Sequence, residues 1–117
     1  MAAIASYCCL SVLGVEYPGY GTYTGNGSCT ADKITEDAEY VYKYCLHDMG
    51  IQEKDIIVFG RSMGSGPACF LAGNFKPAAL GVMSGYTSIK RVAKHSVGWL
   101  RVFLAERFEN IDQVARA

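Results

Sequence analysis

The chain has 117 residues, half of them hydrophobic, and its formal net charge at neutral pH is zero. This size and composition are typical of one folded domain and argue against a mainly disordered protein. Basic and acidic residues number 11 each, so the overall charge indicates no nucleic-acid partner.

The five cysteines are scattered and include no CxxC pair that would suit zinc. They are Cys8, Cys9, Cys29, Cys45 and Cys69. This usage is typical of free or buried thiols in a reducing compartment, so we expect a cytoplasmic protein, soluble or in peripheral contact with a membrane. Cys8 and Cys9 lie in a strand-like run, which favours burial over acylation for both.

Residues 8–17 are rich in β-branched and aromatic residues and stop at Pro18, a pattern that predicts a buried strand followed by a loop. Residues 31–49 then carry apolar side chains at helical spacing, with charged residues on the opposite face and Gly50 as a stop signal. The apolar stretch at residues 1–15 has neither the basic leader of a signal peptide nor the length of a membrane span.

The second half of the chain repeats the same alternation. Residues 55–59 and 78–84 read as buried strands, residues 64–74 as the helix between them, and residues 88–105 as a helix with one apolar stripe. Strand and helix alternate three times, which predicts one α/β domain with a parallel sheet between helical layers.

The stretch "FGRSMGSG" places Ser62 between two glycines, Gly60 and Gly64, after a strand and before a helix. In that context a GxSxG pattern predicts a nucleophile elbow, a turn so tight that only glycine fits beside the reactive serine. The backbone N–H of Met63 would then help to bind an oxyanion. The competing interpretations are a chance glycine-rich turn and a phosphate-binding loop, but no GK[ST] or GxGxxG spacing supports the second.

Three segments in this order, "GVEYPGYG", "DIIVFGRSMGSGPA" and "AALGVMSGYTSIKRVA", resemble the α/β-hydrolase superfamily. Within it they are similar to the branch of membrane-associated protein depalmitoylases and serine aminopeptidase-type hydrolases, over nearly all of residues 10–117. The resemblance implies a partial α/β-hydrolase fold, with three parallel strands in a three-layer α/β/α arrangement. It also implies that Ser62 attacks an ester or thioester carbonyl and forms an acyl-enzyme.

The other members of a catalytic triad have no match in the chain. In the family, the second oxyanion donor lies in a loop upstream of "GVEYPGYG", and the acid and histidine lie on later strands. His95 is expected on a polar helix face among cations, which disfavour the protonated form that a catalytic base must reach. Asp112 resembles a structural helix start in the family rather than the triad acid. His47 precedes the serine and lies on the polar face of the 31–49 helix.

The topology leads to a related expectation. In the family's sheet another strand lies between those resembling residues 8–17 and 55–59, so here these two must either pair directly or fail to be neighbours. We therefore expect residues 1–117 to be the central portion of one α/β-hydrolase domain, without the strands that carry the oxyanion loop and the rest of the triad. Such a chain would be a fragment of a longer hydrolase or come from an incomplete gene model, and a genuine short, inactive descendant is the alternative.

Charge is unevenly distributed along the chain. Residues 16–55 hold eight acids and three bases, whereas residues 56–105 hold six bases and no acid. Four of these bases, Lys90, Arg91, Lys94 and Arg101, lie opposite the apolar stripe of the last predicted helix. This face is either an ordinary solvated surface or a contact with anionic lipid.

The resemblance implies a serine hydrolase, most similar to an acyl-protein thioesterase, that acts on acylated proteins or small esters without cofactor or metal. Without its base, the 117-residue chain alone should turn over little or no substrate. The alternatives are a non-catalytic interaction protein with a hydrolase-like fold, and a peptidase or lipase of the same superfamily.

Overall fold

The computed structural model describes residues 6–7, 9–24 and 29–84. Helix α1 (Ala31–His47) is followed by strand β1 (Ile57–Arg61), helix α2 (Ser65–Asn74) and strand β2 (Ala79–Met83). Short 3-10 turns at Glu53–Asp55 and Ser62–Gly64 precede β1 and α2. Within the described ranges the fold is therefore a β-α-β unit with one additional helix.

Helix α1 forms because its buried residues recur every three or four positions: Ile34, Ala38, Tyr42 and Cys45. The Thr30 hydroxyl caps the helix by accepting a hydrogen bond from the Lys33 N–H at 3.2 Å. On the outer face, Lys33 forms ion pairs with Glu36 at 3.1 Å and Asp37 at 2.9 Å. The chain leaves the helix through Gly50, whose φ of +67° favours glycine.

Strands β1 and β2 pair in parallel, with Ile57 opposite Ala79 and Arg61 opposite Met83. Parallel neighbours require a crossover, and α2 supplies it. Both helices lie on one face of the sheet, because Ala38 and Tyr42 of α1 share a buried cluster with Val58 of β1 and Leu71 of α2. The carboxyl end of β1 therefore leads directly into the start of α2.

The opposite face of the sheet is exposed in the described part of the chain. Ile57 is 54% exposed and Phe59 is 46% exposed, whereas Val58 between them is buried. Phe59 lies across Gly81 of the neighbouring strand, where a Cβ would come within 2.8 Å of its ring. The described residues thus comprise two layers, helices and sheet, of the three that the sequence predicted.

The buried Tyr42 hydroxyl lies near a carboxylate that organises the start of the sheet. It donates a 3.5 Å hydrogen bond to Glu53 Oε1, which also accepts the Lys76 N–H at 3.1 Å. The Glu53 carbonyl accepts N–H groups from Ile56 at 3.0 Å and Ala78 at 3.1 Å. Glu53 therefore joins α1 to the segments that enter both strands.

Two of the three predicted helices and two of the three predicted strands are confirmed, with boundary shifts of up to two residues. The predicted strand over residues 8–17 is wrong for its described part, because residues 10–17 adopt no strand and their apolar side chains are largely exposed. A strand needs a neighbouring strand to bond its N–H and C=O groups. The topology left two outcomes for this segment and β1, direct pairing or no pairing. The structure shows that the two are not neighbours.

Four cysteines can be compared with the prediction. All four are free; Cys45 and Cys69 are buried, whereas Cys9 and Cys29 are exposed. The prediction of a buried thiol is thus wrong for Cys9, which is exposed like residues 10–16 after it. Cys8 and the predicted helix over residues 88–105, with His95 and its four basic residues, lie outside the described residues.

Among the described residues, no helix has both the length and the apolar character needed to cross a membrane.

Replacing Tyr42 with phenylalanine should reduce the loss of stability at alkaline pH. Burial, and secondarily the Glu53 carboxylate, raises the pKa of Tyr42 from 10.0 to about 12. Unfolding then releases a proton between these values, so the wild-type chain should lose stability as pH rises from about 10 to about 12. Urea unfolding from pH 8 to 12 measures this, with the exposed Tyr44→Phe in the same helix as the control. Equal losses in the wild type and Tyr42→Phe would contradict the assignment.

Candidate functional site

Ser62 lies directly after the last residue of β1 and begins the short turn that leads into α2. Its φ of +50° falls in the left-handed region, which residues other than glycine rarely adopt. The side chain is exposed. A strained residue at the end of a parallel strand is a feature of functional turns, where the surrounding structure maintains the conformation.

The turn is tight because β1 and α2 approach each other at Gly60. A Cβ at Gly60 would overlap the carbonyl oxygen of Gly64 and lie 2.7 Å from the Cβ of Ala68. The Gly64 backbone itself is helical, with φ of −65°. Its constraint comes from another segment, because a Cβ there would lie 3.2 Å from the Tyr17 hydroxyl.

Ser65 fixes the conformation of the turn from the first residue of α2. Its side chain is fully buried, and its Oγ donates a 2.7 Å hydrogen bond to the carbonyl oxygen of Ser62. The Ser65 backbone N–H is also directed to that carbonyl. Two donors therefore hold the Ser62 peptide, while the Ser62 side chain lies on the exposed side of the turn.

The loop before α1 folds against this turn. The Glu16 carboxylate closes the loop by accepting the N–H and hydroxyl of Thr22 at 3.1 and 3.0 Å. Gly21, with φ of +50°, leaves room for that carboxylate, where a side chain would overlap it. The Tyr23 hydroxyl joins the loop to α1 through a 3.2 Å hydrogen bond to Asp37.

Tyr17 is the residue of this loop that reaches the serine turn. It is partly buried, next to the buried Pro18, and its hydroxyl contacts the Gly64 position. Burial raises the pKa of Tyr17 above its ordinary value, and the charge of the Cys29 thiolate adds to the rise. The Tyr17 side chain is therefore a neutral hydroxyl at physiological pH.

The described residues supply no base for Ser62. Within residues 6–7, 9–24 and 29–84, no side chain forms a hydrogen bond with the Ser62 hydroxyl. His47 is exposed in the last turn of α1, as predicted. His95 and Asp112 lie outside the described residues. The same ranges contain no cluster of three or more histidine, cysteine or acidic side chains that would hold a metal ion.

The sequence predicted the position of the turn, but not all of the contacts that hold it. It predicted that glycines are required on both sides of Ser62 by the close approach of strand and helix; this reason applies at Gly60, whereas at Gly64 the neighbour is Tyr17. The roles of Tyr17 and Ser65 were not predicted. A serine three residues after Ser62, at the start of a helix, was the available signal for Ser65.

Several known proteins similar to this chain carry hydrolase names, and one other is uncharacterized. The human alpha/beta hydrolase domain-containing protein 17B is 27% identical over 106 residues, which are 91% of this chain and 35% of that protein. The Caenorhabditis elegans alpha/beta hydrolase domain-containing protein aho-3 is 29% identical over 91% of this chain and 31% of its own length. An uncharacterized Mycobacterium tuberculosis protein is 32% identical over 91% of this chain and 38% of its own length.

This chain thus spans about a third of the length of the curated relatives it matches. No family model matches the chain, and neither does any solved structure. The β-α-β unit and the similarity to named α/β hydrolases together support a relationship with the α/β-hydrolase superfamily. The fold class predicted from the sequence, a partial α/β fold, is confirmed.

Alanine substitutions at the two glycines should have different effects on stability. Gly60→Ala should destabilise the chain by about 1–3 kcal/mol, because the new methyl group meets backbone that cannot move freely. Gly64→Ala should cost clearly less, since the Gly64 φ of −65° is one that alanine adopts readily and only the end of the Tyr17 side chain must shift. Urea unfolding of both variants measures the difference. Equal destabilisation would contradict the described turn.

Proposed function

We propose that this chain carries the nucleophile of a serine hydrolase that cleaves esters or thioesters, with Ser62 as that nucleophile. The observation that carries the proposal is the strained, exposed Ser62 at the end of a parallel strand, held between Gly60 and the fully buried Ser65. This arrangement has the features of the elbow that presents a serine in α/β hydrolases. The named hydrolase relatives support the same reaction class.

In the proposed reaction, Ser62 Oγ attacks the substrate carbonyl carbon and its proton passes to a histidine outside the described residues. The carbonyl oxygen becomes an oxyanion near the N-terminal end of α2, where the Met63 N–H is one donor. The carbon–sulfur or carbon–oxygen bond to the leaving group then breaks, the leaving group takes the proton, and an acyl-Ser62 ester remains. Water hydrolyses this ester and regenerates the serine.

The substrate class within this reaction is a finer proposal. We favour a thioester on an acylated protein, because the three resembling segments are similar to the branch that includes the protein depalmitoylases. Lys90, Arg91, Lys94 and Arg101 would then hold the enzyme against anionic lipid, where acylated proteins are found. Binding to vesicles that does not depend on anionic lipid would contradict this part of the proposal alone.

The test is hydrolysis of a palmitoyl thioester by the natural polypeptide that carries these residues, isolated from cells. Ser62→Ala should lower kcat by about 10³-fold or more, since a nucleophile removed from a triad costs several orders of magnitude. Ser65→Ala is the control within the same turn: it retains the nucleophile and should keep measurable turnover. Turnover that persists in Ser62→Ala would contradict the proposal. A folded protein without any turnover would favour the alternative, a non-catalytic binding protein.

A further inference from the structure

The Tyr17 hydroxyl lies at the serine turn without an assigned partner. Tyr17 is partly buried, yet its hydroxyl forms no hydrogen bond with any residue that the structure describes. A hydroxyl that has no partner among the described residues can donate a hydrogen bond to a ligand at this turn. Tyr20 and Tyr23 of the same loop differ, because Tyr20 is 56% exposed and Tyr23 is bonded to Asp37.

The Tyr17 backbone is held within its loop on one side, and its hydroxyl lies at the serine turn on the other. The Tyr17 carbonyl accepts the Tyr20 N–H at 3.0 Å, and Glu16 closes the loop that follows. On the other side, the hydroxyl lies 3.2 Å from the position of a Cβ at Gly64, the residue after Met63. A glycine at position 64 thus leaves space for a hydroxyl group beside the N-terminal end of α2.

We infer that the Tyr17 hydroxyl is a hydrogen-bond donor to the substrate, directed at the oxygen that becomes the oxyanion when Ser62 attacks. The inference rests on the proposed function. A phenolic hydroxyl is a donor as long as it stays protonated, and burial of Tyr17 favours that form. Tyr17 would then act beside the Met63 N–H, from a loop that precedes the serine by 45 positions in the chain.

The test compares Tyr17→Phe with Tyr20→Phe in the natural polypeptide that carries these residues. Because the Tyr17 hydroxyl has no described partner to lose, Tyr17→Phe should leave the thermal unfolding midpoint unchanged. It should lower kcat for a palmitoyl thioester by about 100-fold, the typical cost of one oxyanion donor. KM should change by less than about twofold, since the bond forms mainly in the transition state. Tyr20→Phe should retain the wild-type kcat.

The results separate this inference from the proposed function. Ser62-dependent turnover with equal kcat in the wild type and Tyr17→Phe would overturn the inference and leave the function intact. A rise in KM at unchanged kcat would also overturn it, because Tyr17 would then only bind the ground state. Loss of kcat together with a lower unfolding midpoint would indicate a structural role and overturn it too. If the wild-type protein shows no Ser62-dependent turnover, both fail.

Discussion

The close approach of strand β1 to helix α2 at Gly60 is the constraint on which the described site depends. A side chain at Gly60 would overlap the backbone of Gly64, so the strand can turn into the helix within three residues only because position 60 is glycine. The short turn forces Ser62 into the left-handed region, and the two hydrogen bonds from Ser65 to the Ser62 carbonyl stabilise it there. The exposure of the serine hydroxyl is a consequence of this backbone path.

The same constraint determines what surrounds the serine. Because parallel strands direct their carboxyl ends to one edge of the sheet, loops that reach this edge meet the N-terminal end of α2. The loop closed by Glu16 is one of them and brings Tyr17 to the Gly64 position. The start of the sheet, in contrast, is organised by Glu53 and the buried Tyr42, and it carries packing contacts. Packing at the start of the sheet thus positions the serine turn at the carboxyl end of β1.

The sequence predicted what depends on local pattern. The period of Ile34, Ala38 and Tyr42 predicts α1, and the glycines around Ser62 predict the turn. It failed where the structure depends on contacts between distant segments. Residues 10–17 have strand-like composition, but a strand also requires a neighbour, and composition does not reveal whether one is present. The contact between Tyr17 and Gly64 depends on the three-dimensional path of a loop, which no period in the sequence encodes.

The central claim is that the backbone geometry at Ser62 presents this one hydroxyl as the nucleophile of the proposed serine hydrolase. The most direct measurement is to treat cells that contain the protein with a serine-directed fluorophosphonate and to locate the adduct by mass spectrometry. Ser65 is an internal control, because it lies in the same peptide but is fully buried. We expect one phosphonyl group on Ser62 and none on Ser65. A folded protein that carries no adduct on Ser62, or carries it on other serines as well, would contradict this claim.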